Sequence, residues 1–261
     1  MVKKRIFGKK EIKFTGLRYF VFFLQGIRTL LIAYVLGPYY MGIYGFLMLY
    51  IQYLSYSNLG IQFSLNSEIS VLDSKEIEEK EKLINSGFTG ILFNSILLIL
   101  IAIIIFYSKT NLIPFEDSYK YIFIIILLTI FNHFQKLFVT IFRIEKKLMT
   151  IVKGEFVVGF SLFLLPFFFN EIDLVNAIFF GWTTILFFVL IYFKKTYKPI
   201  ILFDTSRIKL LLRSGFSQLI YAFSYVLMTL MTRTLVGIYY PVEVMGYITV
   251  AIVLLKPFCL G

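Results

Sequence analysis

Apolar residues run through this chain in stretches of about twenty, the length a helix needs to cross the hydrocarbon of a bilayer. Such stretches occupy 15–37, 40–65, 87–107, 120–142, 152–170, 174–193 and 212–237, and a further one opens at 244. They predict an all-α, polytopic transmembrane helix bundle with seven spans and most of an eighth. Gly37-Pro38 separates the first two spans as a turn signal. Between residues 66 and 85 the pattern turns polar, with six acids and three lysines. That stretch predicts a short amphipathic helix outside the membrane.

Charge gives the spans a direction. Lys3, Lys4, Arg5, Lys9, Lys10 and Lys13 precede the first span, and Lys75, Lys80 and Lys82 follow the second. Arg143, Lys146, Lys147 and Lys153 follow the fourth, and Lys194, Lys195, Lys198, Arg207, Lys209 and Arg213 follow the sixth. The intervening loops hold only Lys109 and Lys120. A split of 19 against 2 predicts a multi-pass protein of the cytoplasmic membrane with a cytoplasmic N-terminus. Composition agrees, with 59% hydrophobic and 16% charged residues where soluble domains have roughly 45–50% and 25%. The net charge of +11 follows the loops and forms no basic patch interleaved with exposed aromatics, so no nucleic-acid partner is expected. The basic start leads into an arginine-bearing span without a small-residue cleavage site, which reads as a retained anchor helix. One cysteine, Cys259, excludes a disulfide within the chain.

Five cations, Arg18, Arg28, Lys136, Arg233 and Lys256, fall inside predicted spans. The acids fall in loops or at span edges, with Glu68, Glu155 and Glu243 nearest the hydrocarbon. No span interior is therefore expected to offer a carboxylate, and water or an anionic ligand should meet the cations. Arg18, Gln25, Arg28 and Thr29 lie within an arc of about 100° on the first helix. A second stripe joins Thr129, Asn132, His133, Lys136, Thr140 and Arg143 on the fourth span. Ser214, Ser217, Gln218, Tyr221, Ser224, Tyr225, Thr229 and Thr232 form another on the seventh, and Gln52, Ser55, Tyr56, Gln62 and Asn66 one on the second. Such stripes pack helices together about as often as they line a pathway. A lone histidine makes no metal site, and no cofactor is expected.

The chain also repeats itself. Arg28 is followed by Met41-Gly42 and Arg233 by Met245-Gly246, at offsets of 205 and 204. Gly16 pairs loosely with Gly215. Six helices separate the copies, so both point the same way, as in parallel repeats about an axis along the membrane normal. This divides the chain into a six-helix lobe, 1–209, and the start of a second lobe, 210–261. An end inside an apolar run leads us to expect a truncated or interrupted product that does not transport alone.

Residues 28–49, RTLLIAYVLGPYYMGIYGFLML, followed by Asn58-Leu59-Gly60-Ile61, resemble the start of bacterial polysaccharide (O-antigen type) flippases of the multidrug/oligosaccharidyl-lipid/polysaccharide exporter superfamily. The resemblance implies two six-helix lobes around a central cavity and alternating access that carries a polyprenyl-pyrophosphate-linked oligosaccharide between leaflets. It implies Arg18, Arg28 and Arg233 as cavity arginines for the substrate. To these the fourth-span stripe adds Lys136. Expected partners are the lipid-linked oligosaccharide, membrane lipids and polysaccharide assembly proteins. The competing readings are a multidrug exporter of the same superfamily, which would favour intramembrane carboxylates, and a membrane glycosyltransferase or polymerase. The latter needs acid–base or metal chemistry that the short outward loops do not supply, so no enzyme is expected.

Overall fold

The structure, a computed structural model, describes residues 9–72, 76–109 and 118–255. In lipid every backbone N–H and C=O must find a partner within the protein, and for these sequences the helix is the local solution. The described residues form helices α1 (Lys9–Leu54), α2 (Ile61–Val71), α3 (Ile77–Ser108), α4 (Ile122–Ile144), α5 (Leu148–Leu164), α6 (Glu171–Thr196), α7 (Thr205–Tyr239) and α8 (Val242–Leu255), with short 3-10 turns before α4 and after α5 and no strand. Six stretches are long and apolar enough to cross a membrane, so this is an all-α, multi-pass membrane bundle.

The expected boundary at Gly37-Pro38 lies inside α1, where Gly37 takes φ 64° and ψ 178° and breaks the helix into two arms. A positive φ is open to glycine without a Cβ penalty. The chain folds back there, since Tyr44 on the second arm comes within electrostatic reach of Arg28 on the first. The predicted second span, 40–65, is corrected. It is not one helix: the second arm stops at Leu54, and α2 starts at Ile61. Leu59 and Gly60 are both left-handed, at φ 52° and 79°, and the Asn58 side chain accepts the Gly60 N–H at 3.1 Å. An Asx-type bond competing with the helix ladder, followed by a glycine, is a local reason to break here.

The separate amphipathic helix expected between residues 66 and 85 is also absent. Residues up to Val71 belong to α2, residues 73–75 lie outside the described residues, and the acid-rich remainder forms the opening turns of α3. The final apolar run is described only as α8. Lys256 and Cys259 lie outside the described residues, as do residues 1–8 and 110–117.

Two large cores and a smaller one, of Leu98, Ala102, Ile122, Ile126 and Ile130, fill the bundle. One gathers Ile32, Met41, Leu47, Leu128, Phe179 and Met245 around the second arm of α1. The other joins Leu65, Ile91, Leu137, Phe142, Phe193 and Leu211 towards the opposite end. At that second end the basic connections meet. The Ile200 and Leu202 N–H groups donate to Asn85 Oδ1 and Thr89 Oγ1 at 3.0 and 2.9 Å. Arg207 clasps both carboxylate oxygens of Glu79 at 3.0 and 2.9 Å and also pairs with Asp204.

The repeat has a structural counterpart. A Cβ on Gly42 would overlap the Val242 carbonyl, and one on Gly246 would overlap the Pro38 carbonyl. With an offset of 204 these are one contact seen from both sides. Gly45 meets Thr249, its own repeat partner, between them. The second arm of α1 and α8 thus cross backbone to backbone, as small residues at helix crossings permit. Gly215 makes a similarly close crossing with Gly60, whereas Gly16 has open space around it, so that looser sequence pairing has no matching contact.

Candidate functional site

The cations that the sequence singles out fall into different environments. Arg233 is buried in α7, at 4% exposure. It donates to Gln52 Oε1 at 2.9 Å and to the Gly45 carbonyl at 3.0 Å, both on the second arm of α1. At the next residue, Thr234 Oγ1 bonds the Tyr53 hydroxyl at 2.8 Å. Arg233 therefore joins the two repeat copies, and its Nε is left without a partner.

Arg28, at the equivalent position of the first copy, is half-buried on the first arm. Its Nε is buried and unpartnered among the described residues. The buried Tyr44 lies within electrostatic reach of both Arg28 and Arg233. Structure thus brings these two arginines towards one tyrosine, a grouping that the repeat alone does not specify. Like charges gathered in a low-dielectric interior are costly, so an anion entering beside Arg28 would lower the energy of the pair.

Arg18 stands apart, exposed near the start of the first arm, with its guanidinium 5.9 and 5.6 Å from the Phe14 and Phe22 ring centroids. Here the expected lack of carboxylates needs correction. Glu155 lies inside α5, half-buried, within electrostatic reach of Arg18 and Arg143. The packing of α5 against α1 supplies that neighbour from 137 positions away along the chain, which no local pattern reveals.

Lys136 is exposed on α4 and belongs to neither arginine group. One turn before it, His133 is completely buried. Of the polar stripe on α7, Tyr221 and Tyr225 are each 82% exposed, and Ser224 and Thr232 are exposed as well. Leu211, Gly215, Leu230, Arg233 and Gly237 hold the opposite, docked face. The hydroxyls of Ser224 and Thr232 bond back to their own helix, to the Ile220 and Met228 carbonyls at 2.8 and 2.9 Å. This face is amphipathic, with aromatic surface and polar tips. A groove of about 610 Å³ between α1, α5 and α6, bordered by Leu17, Lys153, Val157, Phe188 and Tyr192, offers an apolar bed with one ammonium at its edge.

Sequence reasoning missed the break at residues 55–60 and the residues it brings together. The signal was present in Asn58-Leu59-Gly60, but an apolar window long enough to detect a span averages across it. Among the described residues no group of three or more His, Cys, Asp or Glu side chains is placed to hold a metal ion. No family model, curated protein or solved structure matches the chain.

Proposed function

We propose that this chain is a membrane transporter component of the polysaccharide flippase type, handling a polyprenyl-pyrophosphate-linked oligosaccharide in the cytoplasmic membrane with its N-terminus on the cytoplasmic side. The observation that carries this reading is Arg28, a membrane-embedded guanidinium whose buried Nε has no partner among the described residues, set near Tyr44 and a second arginine. Intramembrane cations mark substrate pathways. A planar guanidinium suits pyrophosphate because it makes two charge-assisted hydrogen bonds at once. The exposed Tyr221 and Tyr225 face of α7 suits sugar rings, and the groove beside Lys153 suits hydrocarbon. Arg28 is the residue proposed to meet the pyrophosphate. Arg233, bonded to Gln52 and Gly45, holds the copies in register around it, and Arg18 and Lys136 contribute positive potential along the path.

The test is binding of a short polyprenyl pyrophosphate to the purified chain, with the matching polyprenol as control. Binding should require the pyrophosphate, weaken with salt and fall at least tenfold in Arg28→Ala, while Arg28→Lys retains part of it. Equal binding of pyrophosphate and alcohol, or unchanged binding in Arg28→Ala, would sink the assignment. Glu155 favours one competing reading, a multidrug exporter that uses a buried carboxylate to bind cations. That reading requires cationic dye efflux that disappears in Glu155→Gln.

A further inference from the structure

The break between α1 and α2 follows directly on the membrane-length stretch that ends at Leu54, and it removes six residues from the helical ladder. Non-helical backbone at membrane depth is tolerated where it is buried in protein or lines a site. His133 is the twelfth residue of the 23 in α4. Its imidazole is 0% exposed and lies against the Leu54 and Ser55 carbonyls, with no well-formed hydrogen bond at either ring nitrogen among the described residues. Its own backbone carbonyl accepts Gln62 Nε2 of α2 at 3.1 Å, which ties α4 to the far side of the same break.

Other groups here are also unsatisfied. Ser57 Oγ, within the break, is buried without a partner among the described residues, and so is Asn94 Nδ2 on α3. Gly87 and Gly90 of α3 meet Leu65 and Ile61 of α2, and Asn94 follows Gly90 by four residues on α3. Buried polar atoms in folded proteins are bonded in about nine cases out of ten. Several unpaired atoms around one helix break therefore point to a missing binding partner.

We infer that His133 and the broken end of α1 form a proton-binding site. A proton from water adds to the imidazole lone pair, no bond breaks, and the imidazolium donates its N–H to the Leu54 or Ser55 carbonyl. Lys136 on α4 is the charged group that acts on His133 among the described residues. The end of α1 and the break contribute the Leu54 and Ser55 carbonyls and Ser57, and α2 contributes Gln62, all uncharged. Burial, the larger influence, and Lys136 oppose an imidazolium here, and the carbonyl cluster attracts it, so the proton is taken up only in acid. A metal cation is a poorer match, since one imidazole beside an ammonium, without a carboxylate, satisfies no usual coordination set. Proton uptake would fasten α4 to the end of α1, and proton release would free that end, so the packing of α2 on α1 becomes sensitive to pH. This site does not rest on the flippase reading.

His133 is the only histidine in the chain, so histidine-selective ¹⁵N labelling reports this imidazole alone. In the purified protein its ring signals should pass reversibly from neutral to imidazolium positions as the pH is lowered from about 8 to about 3. A spin label on Leu59→Cys, an exposed position of the same break, in a Cys259→Ser background, should change mobility with the same midpoint. In His133→Gln, whose amide still donates to the carbonyls, that change should vanish. A ring that stays neutral throughout, or a spin-label profile identical in His133→Gln, would overturn the proposal. Neither readout involves a transported substrate, so pyrophosphate binding can fail while this site stands.

Discussion

Arg28 and Arg233 stand at matching positions of the repeat, yet one has an unpartnered Nε within reach of Tyr44 and the other is bonded to the opposite copy. The glycine crossing explains how both follow from one motif. Gly42 against Val242 and Gly246 against Pro38 set the two backbones at a single close approach. The side chains around it then meet different neighbours. Arg233 finds Gln52 and the Gly45 carbonyl on the second arm of α1, and Arg28 keeps a buried Nε without a partner among the described residues. A repeat therefore fixes where backbones meet without assigning equal roles to equivalent side chains.

The sharpest way to break this comparison is at the crossing itself. Gly246→Ala drives a Cβ into the Pro38 carbonyl, and Gly42→Ala drives one into that of Val242. Overpacking against backbone costs about 3 kcal/mol or more, so both variants should lose the monodisperse folded peak in size-exclusion chromatography. Normal yield of either would show that the copies do not cross here. Next comes Arg233→Ala, which strips two acceptors of a charged donor and should lower stability by about 2 kcal/mol, read as reduced abundance and a lower Tm. Arg28→Ala should stay within about 0.5 kcal/mol of the parent while losing pyrophosphate binding. If both variants behave alike, the contrast between the arginines collapses.

Smaller effects sharpen the picture. Tyr53→Phe removes the hydroxyl contact to Thr234 and should cost about 0.6 kcal/mol, the average for interhelical hydrogen bonds in membranes. Gly16→Ala meets no atom within 4 Å and should be neutral or stabilising by up to about 1 kcal/mol through helix propensity. The smallest expected change is with pH at Asp204, outside the membrane helices. Bonds from the Ser206 side chain and the Arg207 backbone N–H hold its carboxyl down to about 2. Its contribution is present above the ordinary aspartate range near 3.9 and is lost as pH falls through about 2. Thermal scans should therefore show no change from this cap between about pH 5 and 8, and Asp204→Asn should remove its loss in acid.

Much of the architecture was legible in the chain because a bilayer imposes a length on every helix that crosses it. Gly37-Pro38 announced a break, and Met41-Gly42 with Met245-Gly246 marked a repeat without showing that its copies cross. Two features were not legible for physical reasons. The break at Asn58-Gly60 depends on an Asx bond and a close approach to Gly215, neither of which alters hydropathy. The neighbourhood of Arg18 and Glu155 depends on α5 docking against α1, a tertiary event with no periodic signal. Burial also divided the α7 stripe, placing Arg233 inside and Tyr221 and Tyr225 outside.

The strap between α6 and α7 sets a limit on chain length. Ile200 and Leu202 offer their N–H groups to the same side, two residues apart, as an extended chain does. Asn85 and Thr89 receive them one helical turn apart on α3. Two different rulers, one extended and one helical, thus read the same distance at this place. Adding one residue between Ile200 and Leu202 would turn the second N–H away from Thr89, whereas residues added between Thr196 and Lys198 would only lengthen the approach. A tag or a hinge inserted into this connection is therefore tolerated before the strap and rejected within it, and the entry of the seventh helix is set by counting residues.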